Sequence, residues 1–250
     1  MANPDANPAA ALFKEREKAM RPFIEHRHIY GIRLDGKAFH TFTKQFKRPY
    51  DEEFMRAMDN AALAVLDCSL QGSELAYIQS DEISIIFTDL GHENAELPFN
   101  GNVNKILSTA ASAATLGFLR SMPEVNGNPI FDARLFLLDD DLLDYMSWRR
   151  LDCQKNAITM AASMVKSHKQ LLRIPTKQRY DLLKGTEWER LPEGFFLGRL
   201  MQRENYMKTA EHPPGSGNMV EVMRSRWVKE PATRELTEDV VARTLVKKSN

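Results

Sequence analysis

Cysteine is scarce in this chain: Cys68 and Cys153 are the only two among 250 residues, and they lie far apart. A disulfide framework and a cysteine-rich zinc module are both excluded, and a reducing compartment is expected. Long apolar runs are missing as well, since no window reaches the roughly eighteen residues that a membrane span requires. The opening stretch, MANPDANPAAALFKEREKAM, lacks a basic region followed by an apolar one and a cleavage site. The expectation is therefore a cytoplasmic protein with no membrane partner. Internal repeats and low-complexity tracts are absent. Net charge is zero, from 34 Lys+Arg against 34 Asp+Glu, which argues against a uniformly basic binder of polyanions.

What is present is a division of that charge. Residues 1–140 hold 14 basic against 20 acidic side chains, and residues 141–250 hold 20 against 14. The first half suits cations and the second suits phosphates, although drifting surface charge gives a similar imbalance. The 43% hydrophobic content supports a full-sized core, in one domain with a large appendage or in two small ones.

A helix start is read around Lys14 to Met20. Ile29, Tyr30, Ile32 and Leu34 then run into Asp35-Gly36, a buried strand stopped by a turn. Between Asp51 and Leu66 the apolar positions Phe54, Met55, Met58, Ala62, Val65 and Leu66 recur at spacings of three and four. With Asp51 as N-cap they predict an amphipathic helix. ELAYI and ISIIF, separated by Gln79-Ser80-Asp81-Glu82, predict a hairpin. A polar loop, TDLGHENAELPFNGN, leads into KILSTAASAATLGFL, whose small residues suit a closely packed helix, and IFDARLFLL is a further strand. Residues 1–140 thus read β-α-β-β-α-β, an α+β domain of one antiparallel sheet with two helices on one face. Residues 141–250 read as a mainly helical, basic extension. In it a long helix, LLDYMSWRRLDCQKNAITMAASMVKSH, is broken near Pro175, and a second lies around KQRYDLLKG. FFLGRLMQRENYMK returns as a strand, TAEHPPGSGN is a flexible loop, and the last twenty residues are a mobile charged tail.

The acids carry the chemical signal. Asp35 ends the first strand and Asp81 lies in the hairpin turn, so neighbouring strands would place both at one sheet edge. Two adjacent carboxylates repel, and the remedies are a shared proton or divalent cations. Mg2+ held by such a pair and completed by substrate phosphates supports phosphoryl transfer. Either aspartate taken alone reads more simply as an ordinary turn residue. Around the pair, the Gly36 turn with Lys37 at its rim suits an anion. Lys44, Lys47 and Arg48 interleave with Phe42 and Phe46, which could stack on a base, and Lys105 opens a helix that could approach the same edge.

The segments RLDGKAFHTFTKQFKRPYDEEFMRAMDNAA and AYIQSDEISIIF resemble the tRNA-His guanylyltransferase family. Its members carry R-[IVL]-D-G-R-x-F-H, then K-P-x-D, and later A-Y-x-x-S-D-E-x-S-F-x-F. The resemblance is close over Ile32–Phe87 and looser through FDAR, SWRRLDCQKNAI, SHKQLL and LPEGFFLGRL. It implies a fold related to the polymerase palm and nucleotide addition in the 3′-to-5′ direction at the 5′ end of tRNA. ATP first adenylylates the 5′-monophosphate, and the 3′ hydroxyl of GTP or another nucleoside triphosphate then attacks. On this resemblance Asp35, the Gly36 carbonyl and Asp81 hold two Mg2+ ions. Glu82 is essential but indirect, because alternation along an extended stretch turns it to the opposite face. Lys37, Phe39 and His40 bring backbone amides to the triphosphate. Arg48, where the family usually has Lys, joins Ser80 and Lys105 in phosphate contacts, and Asp51 positions the base. A homotetramer is implied too.

One departure bears on the substrate. Members devoted to tRNA-His carry H-I-N-N after W-R-Q-x-D-C, where this chain has Gln154-Lys155-Asn156-Ala157. That resembles the guanylyltransferase-like branch, which repairs truncated tRNA 5′ ends against a template. Arg134, Arg149, Arg150, Lys155, Asn156, His168, Lys169 and Arg173, with Lys177 and Arg179, are then expected to grip tRNA. The alternatives are a palm-fold cyclase or dinucleotide-forming enzyme without a polynucleotide, and a non-enzymatic tRNA-binding module.

Overall fold

A computed structural model of the chain describes residues 8–68, 70, 72–90 and 95–249. The amino-terminal half comprises α1 (Pro8–Ala19), β1 (Ile29–Gly36), α2 (Phe39–Phe42), α3 (Glu52–Cys68), β2 (Ser73–Gln79), β3 (Glu82–Thr88), α4 (Val103–Ser121) and β4 (Phe131–Leu137). The remainder comprises α5 (Leu142–Ala162), α6 (His168–Leu171), α7 (Thr176–Asp181), α8 (Glu193–Leu197), β5 (Arg199–Glu211), β6 (Met219–Pro231) and α9 (Arg234–Ser249). The strands form one sheet in the order β4-β1-β3-β2-β5-β6, antiparallel at every pairing.

The helices read from three- and four-residue spacing lie where those spacings bury an apolar stripe. Ala57, Met58, Ala61, Ala62 and Val65 of α3 pack with Leu34, Ile83, Ile85 and Phe118 in the larger core, which also takes α4. Gly117 allows α4 this close: a Cβ there would lie 2.6 Å from that of Ala64. The opposite sheet face buries Ile29, Leu75, Tyr77 and Ile86 beneath Leu142 and Met146 of α5 and Val240 and Val241 of α9. Central strands covered on both faces need unbroken apolar runs, which is why ISIIF does not alternate. Each such fully buried side chain contributes about 1.5–3 kcal/mol.

Three expectations are corrected. The helix opening at Leu142 ends at Ala162, well before Pro175. A new start intervenes, where the Gln170 side chain accepts from the Ser167 amide at 3.0 Å and caps α6. The last twenty residues are not a tail, because α9 runs to Ser249 with Thr237, Val240, Val241 and Thr244 buried. Arg234, Glu235, Glu238, Asp239 and Arg243 are exposed on its outer side. Residues 212–218 form the turn of a long hairpin in which β6, unread in the sequence, pairs with β5 along its whole length. Residues 91–94, within the expected polar loop, lie outside the described residues. Among the described residues no helix is long and apolar enough to cross a membrane.

Candidate active site

Register brings the acids together. Asp35, at the end of β1, stands opposite Glu82 of β3 and Asp132 of β4. β2 and β3 are joined by the two residues Ser80-Asp81, with Ser80 at φ 45°. The Gly36 amide donates to the Asp81 carbonyl at 3.1 Å, which ties the strand end to the hairpin turn. Side chains distant in sequence therefore share one rim. Gly36 is required by close approach, since a Cβ there would fall 2.2 Å from the Phe39 ring. Phe39 is fully buried among Phe42, Phe54, Phe118 and Phe131 and fixes α2 against the rim.

Asp35, Asp81 and Glu82 line a cavity of about 590 Å³. Burial pushes the Asp81 carboxyl above its ordinary value, and the negative charge of Asp35 adds to the shift. Burial raises Glu82 too, opposed by Arg149, Arg33 and the Gln79 side chain. Glu82 does not turn away from the cavity as alternation suggested. Asp81 belongs to the turn, so strand alternation starts only at Glu82, which shares the sheet face of Asp35. Glu82 is paired instead with Arg149, whose Nε lies 2.9 Å from Oε1.

His40 of α2 and the loop between α2 and α3 make a second wall, to which Phe46, Arg48 and Asp51 contribute. Asp51 is the expected N-cap: Oδ1 accepts from the Phe54 amide and Oδ2 from the Lys47 amide, each at 3.0 Å. Phe46 packs against Phe42 and Phe54 at ring separations of 5.6 and 5.0 Å while still facing the cavity. Ser80 lines it as well. The third wall is α5, through Arg149, Asp152, Asn156 and Thr159, with Ser163 just past its end. Sequence reasoning missed Asp152, Thr159 and Ser163, although spacings of four, three and four from Asp152 mark one helical face.

Other predicted residues lie elsewhere. The Lys37 amide is not free for a phosphate, because it donates to the Ile130 carbonyl at 2.8 Å. The Phe39 and His40 amides head α2, where first-turn donors lack helical partners. Lys105 does not approach the rim. It sits in the first turn of α4, whose neighbouring Val103 amide bonds Pro22, whereas Phe118, about 20 Å along the helix, contacts Phe39. Arg149 is buried and ion-paired to two carboxylates, so it is no docking cation. Arg179 is likewise spent internally, on Thr159 and the carbonyls of Leu171 and Ile174. Lys155, His168, Lys169 and Arg173 are exposed outside the cavity. Arg150 lies partly exposed on α5, and Arg134 pairs with Asp132 at 3.4 Å.

Among the described residues no three His, Cys, Asp or Glu side chains form a ready-made metal cage. Two carboxylates on one rim, with a glycine backbone between them, are nevertheless the partial hard-oxygen set that Mg2+ accepts when phosphates complete its shell. A divalent cation would also relieve the repulsion between Asp35 and Asp81. The donor set fits that ion.

The family described as tRNAHis guanylyltransferase matches residues 11–139, a stretch that contains β1 through β4 and the whole acidic rim. The chain belongs to this family. The tRNAHis guanylyltransferases are nucleotidyltransferases, and the palm-like α+β fold expected from the sequence is the fold observed. A solved structure of a bacterial guanylyltransferase-like protein in complex with GTP is 29% identical, with a TM-score of 0.77 over 97% of this chain and 98% of that one. The guanylyltransferase of Saccharomyces cerevisiae is 25% identical, with a TM-score of 0.63 over 75% of this chain and 91% of that one. Guanylyltransferase 2 of Arabidopsis thaliana is 29% identical over 216 residues, which are 76% of this chain but only 39% of the plant protein.

Proposed function

We propose that this protein adds nucleotides in the 3′-to-5′ direction to the 5′ end of tRNA, as a templated repair enzyme. The observation that carries the reading is the placement of Asp35 and Asp81 on one rim of a cavity that also receives the basic 46–51 loop. In a first step the tRNA 5′-phosphate attacks the α-phosphorus of ATP and pyrophosphate leaves. In the second, the 3′ hydroxyl of an incoming triphosphate attacks the activated phosphate, AMP leaves, and a phosphodiester remains. Asp35, the Gly36 carbonyl and Asp81 would hold two Mg2+ ions, which supply a more acidic attacking hydroxyl and offset charge on the leaving oxygens. Arg48, Ser80 and the Phe39 and His40 amides are assigned to the triphosphate, and Phe46 and Asp51 to the base. Lys155, Lys169 and Arg173 are assigned to tRNA phosphates. GTP and ATP complexes of the bacterial relative support both substrates. The homotetramer implied by the family resemblance is part of this reading, and exposed Leu12, Phe13, Met219 and Met223 are apolar surface that an interface between copies would cover.

The test is extension of a tRNA lacking its first nucleotide, with Mg2+, ATP and labelled triphosphates, and each base in turn at the opposing template position. The expected result is incorporation that follows the template. Asp35→Ala and Asp81→Ala should each lower transfer about 10³-fold while folding normally, since each removes a metal ligand but relieves repulsion. Parent-like transfer by either variant denies the metal assignment. A cyclic or dinucleotide product without tRNA labelling shifts the reading to a cyclase.

A further inference from the structure

Glu82 is gripped rather than free. Besides the Arg149 contact, its Oε1 accepts from Gln79 at 3.0 Å, and its Oε2 lies 3.8 Å from Arg33 Nε. Arg149 is itself only 5% exposed, with its guanidinium carbon 4.2 Å from the centre of the Trp148 ring. It donates to Asp152 Oδ2 at 2.8 Å, and the same oxygen accepts from Asn156 at 3.3 Å. One buried cation therefore joins the acidic rim to the α5 wall. Burying an arginine among carboxylates adds little net stability, because desolvation offsets the attraction. Positioning is the better account of its place.

Resting on the metal reading proposed above, we infer that Arg149 is a positioning residue that holds Glu82 back from the metal-binding pair, leaving Asp35 and Asp81 to ligate alone. Around the rim and the α5 wall four acids, Asp35, Asp81, Glu82 and Asp152, lie with two cations, Arg33 and Arg149, while the outer Asp132 is paired with Arg134. Without Arg149 the rim is one charge more negative and Glu82 is released toward the ion. A divalent cation then binds more tightly but in the wrong arrangement. Affinity for the ion and turnover should move in opposite directions, which a merely structural prop would not produce.

The experiment measures Mn2+ binding to the full chain by electron paramagnetic resonance, with GTP present and tRNA absent, beside transfer kinetics and tRNA binding against salt. R149M is expected to bind Mn2+ about tenfold more tightly, from one unit of charge acting on a divalent ion. Its kcat should fall about 10–100-fold, as for other residues that orient metal ligands. R149M/E82Q should return Mn2+ affinity to within about twofold of the parent, because the two side chains are coupled. R149K, which keeps the charge but not the fork, should keep parent-like Mn2+ affinity with reduced kcat, and it serves if R149M does not fold. Unchanged or weaker Mn2+ binding in R149M, or parent-like kcat in R149K, overturns the inference. So does a loss of about one from the tRNA salt slope in R149M, which marks a docking cation. If the parent binds Mn2+ but transfers no nucleotide, the reaction reading fails and the Arg149 assignment stands on Mn2+ binding alone. A parent that binds no Mn2+ overturns both.

Discussion

Asp81 shows what the acidic rim costs the fold. Its carboxyl is raised above the ordinary value near 3.8, first by burial and then by Asp35. The folded state therefore holds this proton more firmly than the unfolded chain, and stability falls as pH rises from the unfolded value through the raised folded one. Asp81→Asn removes that penalty. In the absence of divalent cations the variant should melt at a higher temperature than the parent at pH 7, with the difference shrinking as pH falls toward the ordinary carboxylate range. Differential scanning calorimetry across pH checks this, and an equal or lower melting temperature at pH 7 denies that the rim is strained by charge. Added Mg2+ should narrow the gap by stabilising the parent alone.

At the scale of elements, Asp51 does two tasks at once by capping α3 and closing the 47–51 loop. Asp51→Ala should lower stability by about 1–2 kcal/mol in urea unfolding and raise the KM for the nucleotide, whereas Asp51→Asn keeps most of the cap. A loss well below that range means the loop is held by other contacts. Elements with one strong signal were legible in the sequence: β1 by Ile29, Tyr30, Ile32 and Leu34 running into the Asp35-Gly36 turn, β3 by the apolar stretch ISIIF, α3 by its spacing, and the β2–β3 turn by its polar residues. The outer part of β6 exposes side chains on both faces, so no apolar period announces it. In α9 the buried Val240 and Val241 are hidden among charges that face outward. The acids of the site were legible because strand ends fix where they stand. The α5 wall was not, since helical spacing groups Asp152, Asn156, Thr159 and Ser163 without saying what they face. Lys105 was misplaced for a related reason: its position in a helix says nothing about which end of the sheet that end of the helix meets.

For the whole molecule, the charge division survives folding only in part. Arg149 and Arg179 are consumed internally, leaving Lys169 and Arg173 among the exposed cations of the basic half. Lys169→Ala or Arg173→Ala should weaken tRNA binding and flatten its logarithmic salt dependence by about one each. Filter binding from low to moderate salt measures the slope, and an unchanged slope places the docking surface elsewhere.

The strand order carries one more consequence. β5 occupies the flank of β2 that the amino-terminal strands leave open, with Leu75 through Ile78 matched to Arg199 through Gln202. A chain halted after β4 would leave that flank bare, its amides and carbonyls without mates and poised to recruit any passing strand. The acidic rim and the basic half are bound into one sheet, and parting them would expose a seam.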